Sequence, residues 1–122
     1  MDLQLKIYIT HPRVGKFLGI GMFWLLEGIE KHGSIKKAAE EMGLSYVKAH
    51  SMLNNLEEAL GCRVVHRKQG GEKREGAQLN ELGRQVVSRY DEFQKKVKAA
   101  GEEHFINFKH EILGLIEKSG DD

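Results

Sequence analysis

The sequence predicts a mainly α-helical fold with small β-hairpins, an α+β chain, and three patterns carry that prediction. Apolar residues recur at helical spacing in two short neighbouring segments, Ile35, Ala38, Ala39 and Met42, then Ala49, Leu53, Leu56 and Leu60, with Gly43 between them. Leu3, Leu5, Ile7 and Ile9 alternate with Gln4, Lys6, Tyr8 and Thr10, the period of a half-buried strand. A third run of helical period extends from Leu82 to Ile116.

Composition narrows the class. The 122 residues suit one compact domain with an appended element, and 30% charged against 40% hydrophobic residues is an ordinary balance for a soluble protein. No apolar run approaches the ~20 residues of a membrane span, and the N-terminus lacks the basic region and apolar core of a signal peptide. The lone Cys62 excludes an intrachain disulfide. A cytoplasmic location is expected, without a membrane partner.

In chain order, a strand is expected over 3–10. His11-Pro12-Arg13-Val14-Gly15 is turn chemistry, and Lys16 to Gly19 returns as a short second strand. Met22, Leu25, Leu26 and Ile29 mark a helix of about 12 residues ended by His32-Gly33, expected to pack behind the hairpin. Ser34 is an N-cap candidate for the next short helix. Gly43 then supplies the positive φ at which a helix stops, Leu44 plugs inward, and Ser45 caps a second helix with one apolar stripe.

Two short helices joined by a three-residue turn, with alanines where their axes cross, form the arrangement that pushes a helix N-terminus into a DNA major groove. Gly-bounded helix pairs are also common in ordinary cores, so spacing alone leaves both readings open. The following residues separate them. Arg63 to Arg67 reads as a strand, 69–76 as a glycine-rich loop and Ala77 to Leu79 as a returning strand, together a β-wing. Arg63, Arg67, Lys68, Lys73 and Arg74 crowd the twelve positions from 63 to 74, which contain a single acid, Glu72, while residues 102–122 hold two lysines against six acids. A local basic cluster next to a helix-turn-helix is the footprint of phosphate binding.

Asn80 can cap the next helix, on which Leu82, Val86, Val87, Tyr90, Phe93 and Val97 keep helical period. Gly101 is expected to interrupt it, and a last helix then carries Phe105, Phe108, Ile112, Leu115 and Ile116. Domain organisation is read as 1–79, a DNA-binding domain with an N-terminal β-hairpin, and 80–122, C-terminal dimerisation helices. Cys62 reads as a small core residue, and a metal site drawn from His50, Cys62 and His66 is disfavoured by their spacing.

The run GSIKKAAEEMGLSYVKAHSMLNNLEEALGCRVVHR, followed by a GG loop and LNELG, resembles the winged helix-turn-helix DNA-binding domain shared by LysR-type and ModE-type, molybdate-responsive regulators. The Ser-Tyr opening of the second helix, Gly70-Gly71 and the preceding KIYIT and FLGIGMFWLLEGIEKHGS look specifically like the ModE branch, over about residues 3–97. The wing departs from that pattern in carrying Glu72, Lys73, Arg74 and Glu75. Full-length members also carry an oxyanion-binding domain, whereas about 25 residues follow the winged helix here. No molybdate site is therefore expected, and no cofactor.

The resemblance implies roles residue by residue. Tyr46, Val47 and Lys48 occupy the first turn of the recognition helix, and His50, Ser51 and Asn54 continue its outward face. There base edges would be read: Lys suits guanine and Asn adenine, each good bidentate contact giving about 1–3 kcal/mol of discrimination. Ser34, Ser45, Lys36 and Lys37 suit phosphates, and Arg67, Lys68, Lys73 and Arg74 belong to the wing. Tyr90, Phe93, Val97, Phe105, Phe108, Ile112 and Leu115 are the expected dimerisation residues.

No HExxH, GxSxG, P-loop or paired-carboxylate constellation occurs, so no catalytic residue is expected. The reading is a homodimeric, sequence-specific regulator of transcription on double-stranded DNA, with helix 45–60 in the major groove and the 63–79 wing on the backbone or minor groove. The alternative is a protein-interaction module on the same scaffold, since fold does not settle function.

Overall fold

The structure is a computed structural model that describes residues 1–68 and 76–120. It contains a hairpin of β1 (Ile9–His11) and β2 (Gly15–Leu18), three helices α1 (Ile20–His32), α2 (Ile35–Glu41) and α3 (Tyr46–Leu60), a second hairpin of β3 (Val65–Lys68) and β4 (Gly76–Leu79), and a long helix α4 (Glu81–Ser119). Both hairpins are antiparallel. The chain divides into two compact units, Lys6–Asp91 and Met1–Leu5 with Glu92–Asp122.

In the larger unit, Leu25, Leu26 and Ile29 of α1, Leu53 and Leu56 of α3, and Val64 are the bulkiest fully buried side chains. The core lies where α1, α2 and α3 meet, because those helices bring apolar residues at intervals of three and four to one side. Ala38 of α2 sits so close to Gly28 of α1 that a Cβ built at Gly28 would lie 3.0 Å from the alanine methyl. Small residues at the crossing set this approach. Across the same pair, His32 is hydrogen-bonded to Glu41. That bond, the His32 charge and then Lys31 hold the Glu41 carboxyl below the usual carboxylate range.

The strand expected over 3–10 is paired only over Ile9–His11, with an irregular register between Ile9 and Thr10. Its partner β2 has just four residues. Alternation alone cannot extend a ladder beyond the partner's backbone. The second hairpin strand begins at Val65 instead of Arg63, since the Val64 N–H is taken by the Glu57 carboxylate at 2.7 Å and its carbonyl by the Asn80 N–H at 2.9 Å.

The other corrections concern burial and the long helix. Leu60 ends the α3 stripe 37% exposed, and Leu82, at the start of α4, is 40% exposed. Cys62 is exposed rather than a core residue, for it follows the left-handed Gly61 cap at the surface end of α3.

Gly101 does not interrupt α4, which is continuous for 39 residues. A single glycine costs a helix only about 1 kcal/mol relative to alanine and keeps its N–H, and its neighbours Ala99, Ala100, Glu102 and Glu103 favour helix. Its position has a packing reason within the smaller unit: a Cβ there would lie 2.8 Å from Leu5 Cδ1 and 3.3 Å from Leu3 Cδ2. The apolar residues expected on two helices therefore lie along a single helix. No helix of the described residues is long and apolar enough to cross a membrane.

Candidate nucleic-acid interface

The helix-turn-helix forms where its local signals place it. Ser34 Oγ accepts from the Lys37 N–H at 3.2 Å and Ser45 Oγ from the Lys48 N–H at 3.0 Å, so both serines cap helices. Between them Gly43 adopts φ +70° and Leu44 returns its N–H to the Ala39 carbonyl at 2.9 Å. Leu44 is half-buried against the core, as its inward role requires. Lys36 and Lys37 are exposed on the first turn of α2.

On α3 the buried residues Ala49, Leu53 and Leu56 fix the helix rotation. At 3.6 residues per turn, Val47, Ser51, Asn54 and Glu58 then point directly away from the core. Val47 is 78% exposed, which decides that the first turn of α3 faces outward. One flank carries Tyr46, His50 and Asn54 in sequence: the Tyr46 and His50 rings are 5.6 Å apart, and Asn54 Nδ2 lies 3.2 Å from His50 Nδ1. Tyr46 is half-exposed and takes no place in the core. Lys48 lies on the opposite flank with Met52 and Asn55, so it edges the outward face and does not stand at its centre.

Each flank borders a groove closed by a hairpin. On the wing side His50, Asn54, Glu57 and Glu58 face Cys62, Arg63 and Arg67. On the other side Lys48, Met52 and Asn55 face Lys16 of the N-terminal hairpin and Tyr8, the residue just before it. The sequence did not single out Tyr8, Lys16 or Glu58 for this surface. No local pattern marks the first two, because only tertiary packing brings them there, that of β2 against α3 in the case of Lys16.

The wing is anchored at its base. Ala77 donates its N–H to the Gly33 carbonyl at 2.9 Å, and Leu79 donates to Glu30 Oε2 at 3.1 Å. Arg84 Nη1 donates to the Leu79 carbonyl at 2.9 Å. Asn80 caps α4 by accepting from the Gly83 N–H at 2.8 Å and donates to the Arg63 carbonyl at 2.7 Å. Arg67 is exposed on β3, and Lys68 is the last residue of that strand, opposite Gly76. Lys73, Arg74 and the expected 69–76 loop as far as residue 75, including Gly70-Gly71, lie outside the described residues.

Of the residues expected to dimerise, Tyr90 is excluded by its own chain. It is 3% exposed, packs at 5.6 Å ring separation on Phe23, and donates its hydroxyl to the Ile7 carbonyl at 3.2 Å. Helical period could not distinguish a face buried within the protomer from one left for a partner. Phe93, Phe108 and Leu115 are 44%, 52% and 61% exposed, while Val97, Phe105 and Ile112 are half-buried.

Comparison with known proteins places these features together. Residues 24–84 match the family described as bacterial regulatory helix-turn-helix protein, lysR family; the N-terminal hairpin lies before that match. The chain is 36% identical over 77 residues to the molybdenum transport protein ModE of Azotobacter vinelandii, covering 63% of this chain and 28% of that protein. It is 33% identical over 91 residues to the DNA-binding transcriptional dual regulator ModE of Escherichia coli K12, covering 75% of this chain and 31% of that one. The chain thus spans less than a third of the length of these relatives. Among solved structures, the DNA-binding domain of CbnR in complex with DNA superposes with a TM-score of 0.56 at 15% identity, over 70% of this chain and 93% of that one. CbnR itself, a LysR family transcriptional regulator, gives 0.55 at 15% identity over 70% of this chain and 28% of its own. Both likenesses show the winged-helix fold.

Proposed function

The chain belongs to the lysR family of bacterial regulatory helix-turn-helix proteins, and from that premise we propose that it binds double-stranded DNA in a sequence-specific manner as a homodimer and regulates transcription. The observation that carries this reading is the outward row Val47, Ser51 and Asn54 on a capped helix whose opposite face is fully buried. Such a helix presents Val47, the short polar side chains of Ser51 and Asn54, and its own N-terminal amides to a major groove without disturbing the core.

Asn54 is the candidate for bidentate reading of adenine, and Ser51 for a single base contact. Lys48 approaches from the hairpin side, where its ammonium reaches a guanine edge or the adjoining phosphate. Lys36, Lys37 and the amides following Ser34 and Ser45 suit phosphates. Arg67 and Lys68, with Lys73 and Arg74 of the same wing, suit the flanking backbone or minor groove.

Homodimerisation is supported by α4. Ile106, Phe108, Leu113, Leu115 and Ile116 are all about half-exposed or more, and large apolar side chains gathered on one helix favour burial against a partner. A second copy would supply the matching patch by two-fold symmetry.

Selection of bound fragments from a random duplex pool tests both parts together. The expected result is an enriched, two-fold symmetric site with half-sites separated by about 34 Å or a multiple of it, altered at defined positions by Asn54→Ala. Failure to enrich any sequence above non-specific binding would sink the reading.

A further inference from the structure

We propose that the N-terminal hairpin is a second phosphate-binding element, which grips the DNA backbone through Lys16 on the side of α3 opposite the wing. This rests on the reading of α3 as the recognition helix.

The argument starts from how Lys16 is held. The Tyr8 ring packs on Gly19 so closely that a Cβ there would lie 2.9 Å from the ring. The Lys16 ammonium stands over the same ring, 3.9 Å from its centroid. A cation held over an aromatic face gives up less conformational freedom on binding than a free lysine does. Lys16 nevertheless remains exposed, so its charge is available to a ligand.

The direction follows from the groove it lines. Lys16 and Tyr8 share that groove with Lys48, Met52 and Asn55, and Lys48 belongs to the first turn of α3. Among the described residues, none of those lining this groove is acidic. The wing-side groove differs, since Glu57 and Glu58 there face Arg63 and Arg67. The hairpin groove therefore carries two lysines, uncompensated by any acid in its lining, beside the end of α3 that would enter the major groove. DNA phosphates bordering that groove are the ligand such a site fits, because they lie within reach of whatever flanks an inserted helix. Arg13 is also exposed, in the turn of the same hairpin.

The test is the affinity of wild type, Lys16→Gln, Tyr8→Leu, Tyr8→Phe and the wing variant Arg67→Gln for one selected duplex, measured by fluorescence anisotropy across a salt series. Lys16→Gln is expected to weaken binding several-fold and to lower the slope of log affinity against log salt by about 1 per protomer bound. Tyr8→Leu should weaken binding with the slope kept, since the charge remains while its positioning is lost, and Tyr8→Phe should restore affinity. A Lys16→Gln protein with wild-type affinity and slope, while Arg67→Gln loses both, would overturn the hairpin's role and leave the recognition-helix reading standing. Wild type that binds no duplex would remove both.

Discussion

Glu30, on α1, accepts a hydrogen bond at 3.1 Å from the backbone N–H of Leu79, forty-nine residues further along the chain. Arg84 closes the same bracket from α4, donating to the Leu79 carbonyl at 2.9 Å with its guanidinium 3.9 Å from Glu30. One carboxylate thus satisfies the Leu79 amide at the end of β4. Glu30→Ala is expected to cost about 1–2 kcal/mol in urea unfolding, because it strands a part-buried amide. Glu27→Ala, one turn earlier on the same helix, should stay within about 0.5 kcal/mol of wild type. Equal losses for both would mean that the Glu30 contact is incidental.

Two glycines of α4 should respond in opposite senses. A Cβ at Gly83 would run into the Val64 carbonyl oxygen, backbone that cannot swing aside, so Gly83→Ala is expected to destabilise by about 1–3 kcal/mol. At Gly114 nothing lies within 4 Å of such a Cβ. Gly114→Ala should therefore gain up to about 1 kcal/mol from helix propensity alone. Urea midpoints of both variants check this, and a stabilised Gly83→Ala protein would contradict the packing described.

Alkaline stability should depend on Tyr90. Burial, and then the charge that Tyr8 acquires, push its phenol above the ordinary value of 10.0. The folded protein holds this proton more tightly than the unfolded chain does. Its contribution is therefore complete below pH 10.0 and lost as pH rises through the raised folded value. Tyr90→Phe removes one hydrogen bond, at a cost of about 0.5–1.5 kcal/mol near neutrality, and should flatten this alkaline decline. Parallel stability profiles above pH 10 for the two proteins would rule the assignment out.

Assembly should reside on α4. Phe108→Asp together with Leu115→Asp places charge on two side chains that are 52% and 61% exposed, so the protomer's own fold is expected to survive. Sedimentation should show a dimeric wild type and a monomeric double variant, with circular dichroism unchanged. Weaker DNA binding should accompany the loss, since one half-site contributes less than two linked ones. A monomeric wild type, or a double variant that remains dimeric, would place the interface elsewhere.

The sequence by itself determined the elements whose causes are local. Ser34 and Ser45 cap α2 and α3, Gly43 and Gly61 end them in left-handed conformations, and Asn80 opens α4, each through groups within a few residues. The same reach explains why the outward row of α3 was legible: once Ala49, Leu53 and Leu56 point inward, Val47, Ser51 and Asn54 point out. Tertiary structure decided whatever depended on a distant partner. The strand at 3–10 shortens because β2 is short; Gly101 remains helical while Leu3 and Leu5 lie over it; and Tyr90 turns from a candidate interface residue into core when Phe23 and Ile7 cover it. Lys16 reaches the flank of α3 only through the packing of its hairpin. Periodicity reports that a face is apolar, while the neighbour that buries it is fixed by contacts far apart in the chain.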